Sequence, residues 1–144
     1  DFSLKINEAA FDQNGTTAWI EIYNPATAAL GTTGLFLASS PDFTDKVALS
    51  GTVSAKGFLS IAEPFSADGD ELTLFLISGT DTIIDAVSLP FKSPRNFAGA
   101  FPDGSGKFYA SSTGTQGSAN NPDRVDSVVF NELMVDPPSE SRDG

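Results

Sequence analysis

Apolar and polar positions alternate along the chain in short runs that recur at intervals of roughly 8–15 residues. Residues 18–24 show the pattern clearly, since Ile20 and Ile22 fall on one face of an extended chain and Trp19 falls on the other. Clusters of glycine, proline, asparagine and aspartate separate the runs, and convincing helical periodicity is missing. The pattern predicts an all-β protein, built as a sandwich or a barrel.

The alternation predicts strands at residues 4–9, 18–24, 35–37, 58–61, 72–77, 82–89 and 107–110, with a weaker candidate at 47–49. The strongest hairpin joins 72–77 to 82–89, because the intervening Ser-Gly-Thr-Asp favours a turn. Asn14-Gly15 predicts a second turn, since both residues tolerate positive φ.

The stretch from residue 91 to residue 123 is rich in proline and glycine and offers a strand only at 107–110. We expect it either to be held down by packed phenylalanines or to be mobile. Residues 103–106, Asp-Gly-Ser-Gly, lack the Gly-Lys-Ser/Thr ending of a phosphate-binding loop, so we interpret them as a structural turn.

Trp19 is the only tryptophan of the chain. Single tryptophans of β-sandwiches are usually core residues, so we expect Trp19 in the core, where Trp19→Ala would cost about 3–5 kcal/mol. The alternative is that Trp19, Glu21 and Tyr23 form a platform on which a sugar ring stacks.

Composition narrows the classes of function. The 144 residues suit one domain, and 8 basic against 19 acidic residues give a formal charge of −11. Such a charge repels phosphate backbones, so we expect no nucleic-acid partner. No apolar run approaches the roughly 18 residues that a membrane helix needs, so we expect no membrane insertion. A composition rich in Ser, Thr and Gly with few Lys and Arg is common in exported bacterial proteins, which favours a secreted or cell-surface bacterial location.

Cysteine and histidine are both absent. The chain therefore cannot build a Ser-His-Asp or Cys-His catalytic unit from its own side chains, nor a metal site based on those two residue types. No pair of carboxylates is singled out as acid and base, so we expect no enzymatic activity.

Acidic loops are the remaining candidates for metal binding. Asp68, Asp70 and Glu71 lie in one loop, and Asp42 and Asp45 lie in another. Calcium takes carboxylate and carbonyl oxygens from loops of this kind, but the EF-hand spacing is missing and solvated acidic turns are common. Our expectation is that the chain has no cofactor, with calcium as the alternative.

The end of the chain repeats its beginning. Residues 4–12 align with residues 128–136, matching Asn7 and Glu8 with an identical Asn-Glu pair and keeping most apolar positions apolar. This predicts one domain at 1–121, followed at 122–144 by a linker and the opening strand of a second module in a tandem array. The alternative is two strands of a single sandwich with a chance resemblance. In either case we expect Asn7 and Glu8 to satisfy backbone groups at a sheet edge.

An apolar strand near the end of the chain exposes too much surface to stay unpaired. We therefore expect residues 128–135 to pair with an edge strand of this sandwich or of a neighbouring molecule. Pairing with a second copy of the chain would be self-association through these residues. The side chains that would carry this pairing are Val128, Val129, Phe130 and Leu133.

Seven segments, in chain order, resemble the lamin-tail domain of lamins and of many bacterial extracellular proteins. Near the start, Ile6-Asn7-Glu8 resembles the family's INE, and residues 19–25 resemble WIELYNP. The middle segments are 30–37, similar to LSGWYL; 55–59, similar to PAGGYLVV; and 72–89, similar to the LTLYD…G…VVDSV hairpin. Towards the end, 101–106 resembles RYPDGSG and 115–120 resembles TPGAAN. The resemblance covers about residues 4–120.

Three positions depart from the family pattern, with Leu35 in place of an aromatic residue, Ala100 in place of a basic one and Gln116 in place of proline. The resemblance implies an immunoglobulin-like β-sandwich without enzymatic activity. It also implies attachment to other domains, so we expect a non-catalytic module that binds a protein or matrix partner through an edge strand or loop face. The alternatives are a structural spacer that positions a neighbouring catalytic domain and, third, a carbohydrate-binding module.

Overall fold

The computed structural model describes residues 3–91 and 95–121, and within them every regular element is a β-strand. The strands are β1 (Lys5–Phe11), β2 (Thr17–Tyr23), β3 (Leu30–Gly31), β4 (Leu35–Ala38), β5 (Val47–Ala48), β6 (Thr52–Val53), β7 (Phe58–Ile61), β8 (Glu71–Ser78), β9 (Ile83–Pro90), β10 (Phe97–Ala100) and β11 (Phe108–Ser111). The predicted all-β class is therefore confirmed. A search of the described residues for a helix able to cross a bilayer finds none.

Two antiparallel sheets form a sandwich around one apolar core. One sheet has five strands in the order β11-β10-β1-β2-β7, and the other has four in the order β5-β4-β8-β9. The short β3 and β6 pair separately. Ile6, Ile20 and Ile22 of the five-stranded sheet belong to the same buried cluster as Leu72 and Leu74 of the four-stranded sheet. The core thus lies between the two sheets.

The β8–β9 hairpin confirms the strongest local prediction. Leu72, Leu74 and Leu76 are buried on one face of β8, and Leu89 and Val87 oppose the first two on β9. A turn with Asp81 at positive φ connects the two strands. The predicted turn at Asn14-Gly15 is present too, with Gly15 at a φ of 81°.

An aspartate of β9 points inwards and joins the two sheets. Asp85 opposes Leu76 and therefore faces the other sheet, where its carboxylate accepts hydrogen bonds from Ile6 N at 2.9 Å and from Lys5 Nζ at 3.1 Å. Inward-pointing charges and prolines are devices that discourage further pairing at a sheet edge, and β9 carries both, since it ends at Pro90.

Trp19 does not lie in the core, so that prediction is wrong. Its neighbours Ile20 and Ile22 fill the core, which places Trp19 on the opposite, outer face of the five-stranded sheet. There it is partly buried and its ring lies 6.4 Å from the ring of Phe97. The outer face of β2 carries the aromatic rings of Trp19 and Tyr23 beside Glu21, so polarity marks the core side of this strand only weakly.

The loop-rich region contains two strands rather than one. Phe108–Ser111 matches the predicted strand, while Phe97–Ala100 was not predicted and pairs with both β1 and β11. Its sequence, Phe-Ala-Gly-Ala, has low β-propensity, so this segment is a strand because it pairs with β1 and not because of its local sequence. Hydrogen bonds to polar side chains of β1 and β2 hold the residues that follow β10.

Candidate functional site

A β-bulge in β1 turns two polar side chains towards the outer face of the five-stranded sheet. Ile6 pairs with Ile22 and Glu8 pairs with Glu21, so Asn7 is an extra residue on its strand. Asn7, Glu8 and the facing Glu21 are all buried, and Glu21 has 0% exposure. Two acids and an amide thus share one covered face.

Asn7 holds the turn at 102–106. Its Nδ2 donates to Asp103 Oδ1 at 3.1 Å and to Glu21 Oε1 at 3.3 Å, while its Oδ1 accepts from Gly104 N at 2.8 Å. The Asp-Gly-Ser-Gly sequence therefore forms a structural turn, as predicted.

Residues 112–120, called the covering segment below, are anchored to the two glutamates. Thr115 donates from its backbone N to Glu8 Oε1 at 3.0 Å and from its Oγ1 to Glu8 Oε2 at 3.0 Å. Gly117 N donates to Glu21 Oε2 at 2.6 Å. The expectation that Glu8 satisfies backbone groups is confirmed, although β1 is an interior strand rather than a sheet edge.

Asn120 fastens the end of the covering segment. Its Nδ2 donates to Ala100 O at 2.9 Å and to Asn7 O at 3.0 Å, and its backbone N donates to Asp103 Oδ1 at 3.0 Å. A Cβ on Gly99 would lie 3.1 Å from Asn120 Cγ, so the glycine makes room for this side chain. Asn7, Glu8, Glu21, Asp103 and Asn120 together form what we call the buried polar cluster.

The two glutamates of the cluster have raised pKa values. Burial raises the pKa of Glu21 to about 7, and the neighbouring Glu8 and Asp103 add to the rise, while hydrogen bonds from Gly117 and Asn7 oppose it. Burial also raises the pKa of Glu8, against the hydrogen bonds from Thr115. The ion pairs found among residues 3–91 and 95–121 lie elsewhere, at Lys5–Asp85 and Lys46–Asp81.

Aromatic pairs flank the cluster, and glycines cover them. The rings of Tyr23 and Phe58 lie 5.1 Å apart, and a Cβ on Gly104 would come within 2.9 Å of Tyr23. At the other end, a Cβ on Gly114 would come within 2.5 Å of Phe97, the partner of Trp19. Loops therefore cover the face on which a sugar platform was considered.

The depression beside Glu8 is too small for an organic ligand. Its wall includes Glu8, Tyr109, Thr113, Thr115 and Asn120. The space inside it is about that of a single water molecule. Chemistry on a bound substrate would need more room than this.

The calcium candidates Asp42 and Asp45 already accept hydrogen bonds from residues of their own loop. Asp45 accepts hydrogen bonds from the backbone N and the hydroxyl of both Ser39 and Ser40, and although burial opposes ionisation these bonds hold its pKa well below its usual range. Asp42 accepts from Thr44, which likewise lowers its pKa. These carboxylates stabilise turns.

The second acidic loop does not complete a metal site. Asp68 and Glu71 bridge to each other through their backbones, and Asp70 accepts from Phe91 N through its carbonyl oxygen. In the part of the chain that the structure describes, no group of three or more acidic side chains is arranged so that it could hold a metal ion. The five acidic candidates therefore do not form one such group.

Among residues 3–91 and 95–121, no strand pairs with the outer side of β11, which ends the five-stranded sheet. Phe101 N donates to Lys107 O, and hydrogen-bonded pairs recur at every second residue of an antiparallel ladder, so the backbone groups of Phe108 and Ala110 point away from β10. Tyr109, between them, is 49% exposed. The predicted pairing residues Val128, Val129, Phe130 and Leu133 lie outside the described residues.

Comparisons of the chain with known protein families, with curated proteins and with solved structures gave no match.

Sequence reasoning missed the roles of Glu21, Asp103 and Asn120, which composition alone does not separate from other polar residues. A signal was nevertheless present, because each lies in a segment that carries the lamin-tail resemblance: 19–25, 101–106 and 115–120. With Ile6-Asn7-Glu8 these segments meet in the buried polar cluster.

Proposed function

We propose that the chain is a non-catalytic binding module of the lamin-tail type, an immunoglobulin-like sandwich within a secreted or cell-surface bacterial protein. Its partner is a protein or matrix chain that adds as an extended strand to β11. The observation that carries this proposal is the outward-facing backbone of Phe108 and Ala110, which no strand of residues 3–91 and 95–121 pairs with, beside the exposed Tyr109.

The internal use of the buried polar groups supports a scaffold role. Asn7, Glu8, Glu21, Asp103 and Asn120 hold loops of the same chain, and each makes at least one hydrogen bond to a neighbouring segment. A catalytic acid or base needs an approach for substrate, whereas four of these groups are buried and Asp103 is partly buried. Open backbone groups at a sheet edge suit recognition rather than chemistry.

The edge strands β9 and β11 differ in a way that favours β11. β9 ends at Pro90 and turns the charged Asp85 inwards, both of which discourage strand addition. β11 has neither device. An incoming strand would therefore pair with β11 in preference to β9.

A proline substitution on each edge tests the proposal. Ala110→Pro removes an outward donor of β11 without removing a bond of the β10–β11 ladder, and Ser88→Pro does the same on β9. Binding of the full chain to immobilised extracellular-matrix proteins is measured by surface plasmon resonance for the native chain and both variants. We expect Ala110→Pro to abolish binding and Ser88→Pro to retain it.

Two results would count against the proposal: no binding by the native chain, or binding that Ala110→Pro leaves unchanged. Circular dichroism of each variant checks that the sandwich has formed. Binding of soluble polysaccharides that depends on Trp19 would instead favour the carbohydrate-binding alternative.

A tandem spacer is the second candidate, and one observation favours it. The Asn7-Glu8 bulge anchors both the 102–106 turn and the covering segment, so an Asn-Glu pair in a similar apolar context has a structural purpose. The same pair recurs at Asn131-Glu132. That recurrence is what a second copy of the module would require.

A further inference from the structure

The strands that end the two larger sheets in the described part of the chain differ in their charges. β11 and β7 end the five-stranded sheet, and β5 and β9 end the four-stranded sheet. Asp45 lies two residues before β5, Glu63 lies two residues after β7, and Asp85 lies within β9. Residues 106–113, which are β11 with two residues on each side, contain no acidic side chain, and Lys107 is their single charged residue. Because the chain has a formal charge of −11, β11 is the edge strand at which a second copy meets the least repulsion.

The outward backbone groups of β11 are complementary to themselves. Phe108 and Ala110 turn both their N–H and their C=O groups away from β10. In an antiparallel pair of two β11 strands, a register that places Phe108 opposite Ala110 of the second copy also places Ala110 opposite Phe108. Each of these pairs exchanges two hydrogen bonds, so about four hydrogen bonds form and every outward group of the strand is used.

Tyr109 lies at the centre of this register. It opposes Gly99 of β10 on the outer face of the sheet, and its side chain is 49% exposed. Across the two strands it would lie directly opposite Tyr109 of the second copy, in a pair without hydrogen bonds whose Cα atoms are about 4.5 Å apart. Aromatic pairs at such positions stabilise antiparallel strands, so each exposed ring would be covered by the other.

We propose that β11 of one copy pairs in the antiparallel direction with β11 of a second copy, about a two-fold axis at Tyr109, so that the two five-stranded sheets become one. This inference rests on the proposed function, because it names the occupant of the β11 edge when no other partner strand is bound. The pairing uses the same strand of both copies, so assembly through this edge ends at a dimer. Two strands of four residues bury little surface, so the dimer is weak and a matrix partner can displace it.

Trapping with single cysteines tests the register, because the native chain contains no cysteine. In Tyr109→Cys the two Cα atoms would lie about 4.5 Å apart, within the range that a disulfide spans. Ile83→Cys is the matched control, since Ile83 is a large apolar side chain of similar exposure, 52%, on β9. Lys107→Cys controls for the register, because residue 107 would oppose residue 111 and its two copies would lie about 14 Å apart.

Each full-length variant is oxidised, and the covalent dimer is measured by non-reducing electrophoresis. We expect about tenfold more covalent dimer from Tyr109→Cys than from Ile83→Cys or Lys107→Cys. Sedimentation equilibrium of the native chain should show a monomer–dimer equilibrium, and added salt should strengthen the dimer by screening the repulsion between the two acidic copies. Ala110→Pro should abolish this dimer, whereas Ser88→Pro on β9 should retain it.

Equal trapping in the three cysteine variants, a native chain that stays monomeric at millimolar concentration, or a dimer that Ala110→Pro leaves unchanged would overturn the proposal. A monomer whose Phe108 and Ala110 amides are protected from exchange would assign the edge to another segment of the same chain, such as residues 128–135, and would overturn it too. Binding of a matrix protein that Ala110→Pro abolishes, without trapping at position 109, would reject the dimer and leave the proposed function standing. Sedimentation of the native chain decides the question even if a variant does not fold.

Discussion

Asn120→Ala should remove the most connected side chain of the buried polar cluster. The amide donates to Ala100 O and Asn7 O, and its Oδ1 accepts from Thr115 Oγ1 at 2.6 Å. Truncation leaves two buried carbonyl oxygens without this donor, and it opens a small cavity, while the Thr115 hydroxyl keeps its hydrogen bond to Glu8. A buried group left unsatisfied costs about 1–3 kcal/mol, so with partial rescue by water we expect a loss of about 2–4 kcal/mol in the free energy of unfolding.

Urea denaturation followed by Trp19 fluorescence measures this loss. Asn121→Ala is the matched control, because Asn121 is the next residue, has the same side chain and is exposed; its cost should stay within about 0.5 kcal/mol. Asn120→Asp adds a test of chemistry, since it keeps the shape but replaces the donor with a carboxylate beside Glu8 and Asp103. We expect Asn120→Asp to be at least as destabilised as Asn120→Ala at neutral pH and to recover at lower pH. Equal stabilities for Asn120→Ala and Asn121→Ala would refute the reasoning.

Four further predictions concern other contacts of the sandwich. Gly114→Ala places a Cβ 2.5 Å from Phe97 and should cost about 1–3 kcal/mol in urea unfolding, whereas Gly31→Ala, with nothing within 4 Å, should be nearly neutral. Asn24→Ala should cost about 2–3 kcal/mol, because this fully buried amide donates to three backbone carbonyls; a loss under about 0.5 kcal/mol would contradict that role. Millimolar calcium should leave the melting temperature unchanged. Asp45→Asn should lower the melting temperature above pH 4, and the difference from the native chain should shrink as the pH falls. The reason is that the pKa of Asp45 is lowered in the folded chain, so its contribution to stability is lost when acid protonates it. A calcium-induced rise in melting temperature would show that the acidic loops bind the ion.

The strands were predictable wherever one side of the chain is apolar and the other polar. In β8 the leucines at 72, 74 and 76 alternate with polar or partly exposed residues, and the same period of two appears in the structure. In β2 one face carries isoleucines and the other carries two aromatic residues beside Glu21, so periodicity located the strand and left its orientation open. The usual role of a lone tryptophan then led to the wrong face for Trp19.

The buried polar cluster depends on contacts between distant parts of the chain. Glu8 and Thr115 are 107 residues apart, and Asn7 and Asn120 are 113 apart. Local propensity carries no information about such pairings, and β10, which brings the segments together, has a sequence of low β-propensity. The resemblance did mark the participating segments, although it did not indicate that their polar side chains meet.

The hydrogen bond between Asn7 O and Asn120 Nδ2, at 3.0 Å, also holds two positions that are 113 residues apart in the chain side by side. If copies of this sandwich are linked in series, as the tandem-spacer proposal requires, and each is joined to its neighbours near these two positions, each copy would project sideways from a short stem, much as an inserted domain does from its host. The length of such an array would then grow by less than the full length of one sandwich for each copy added.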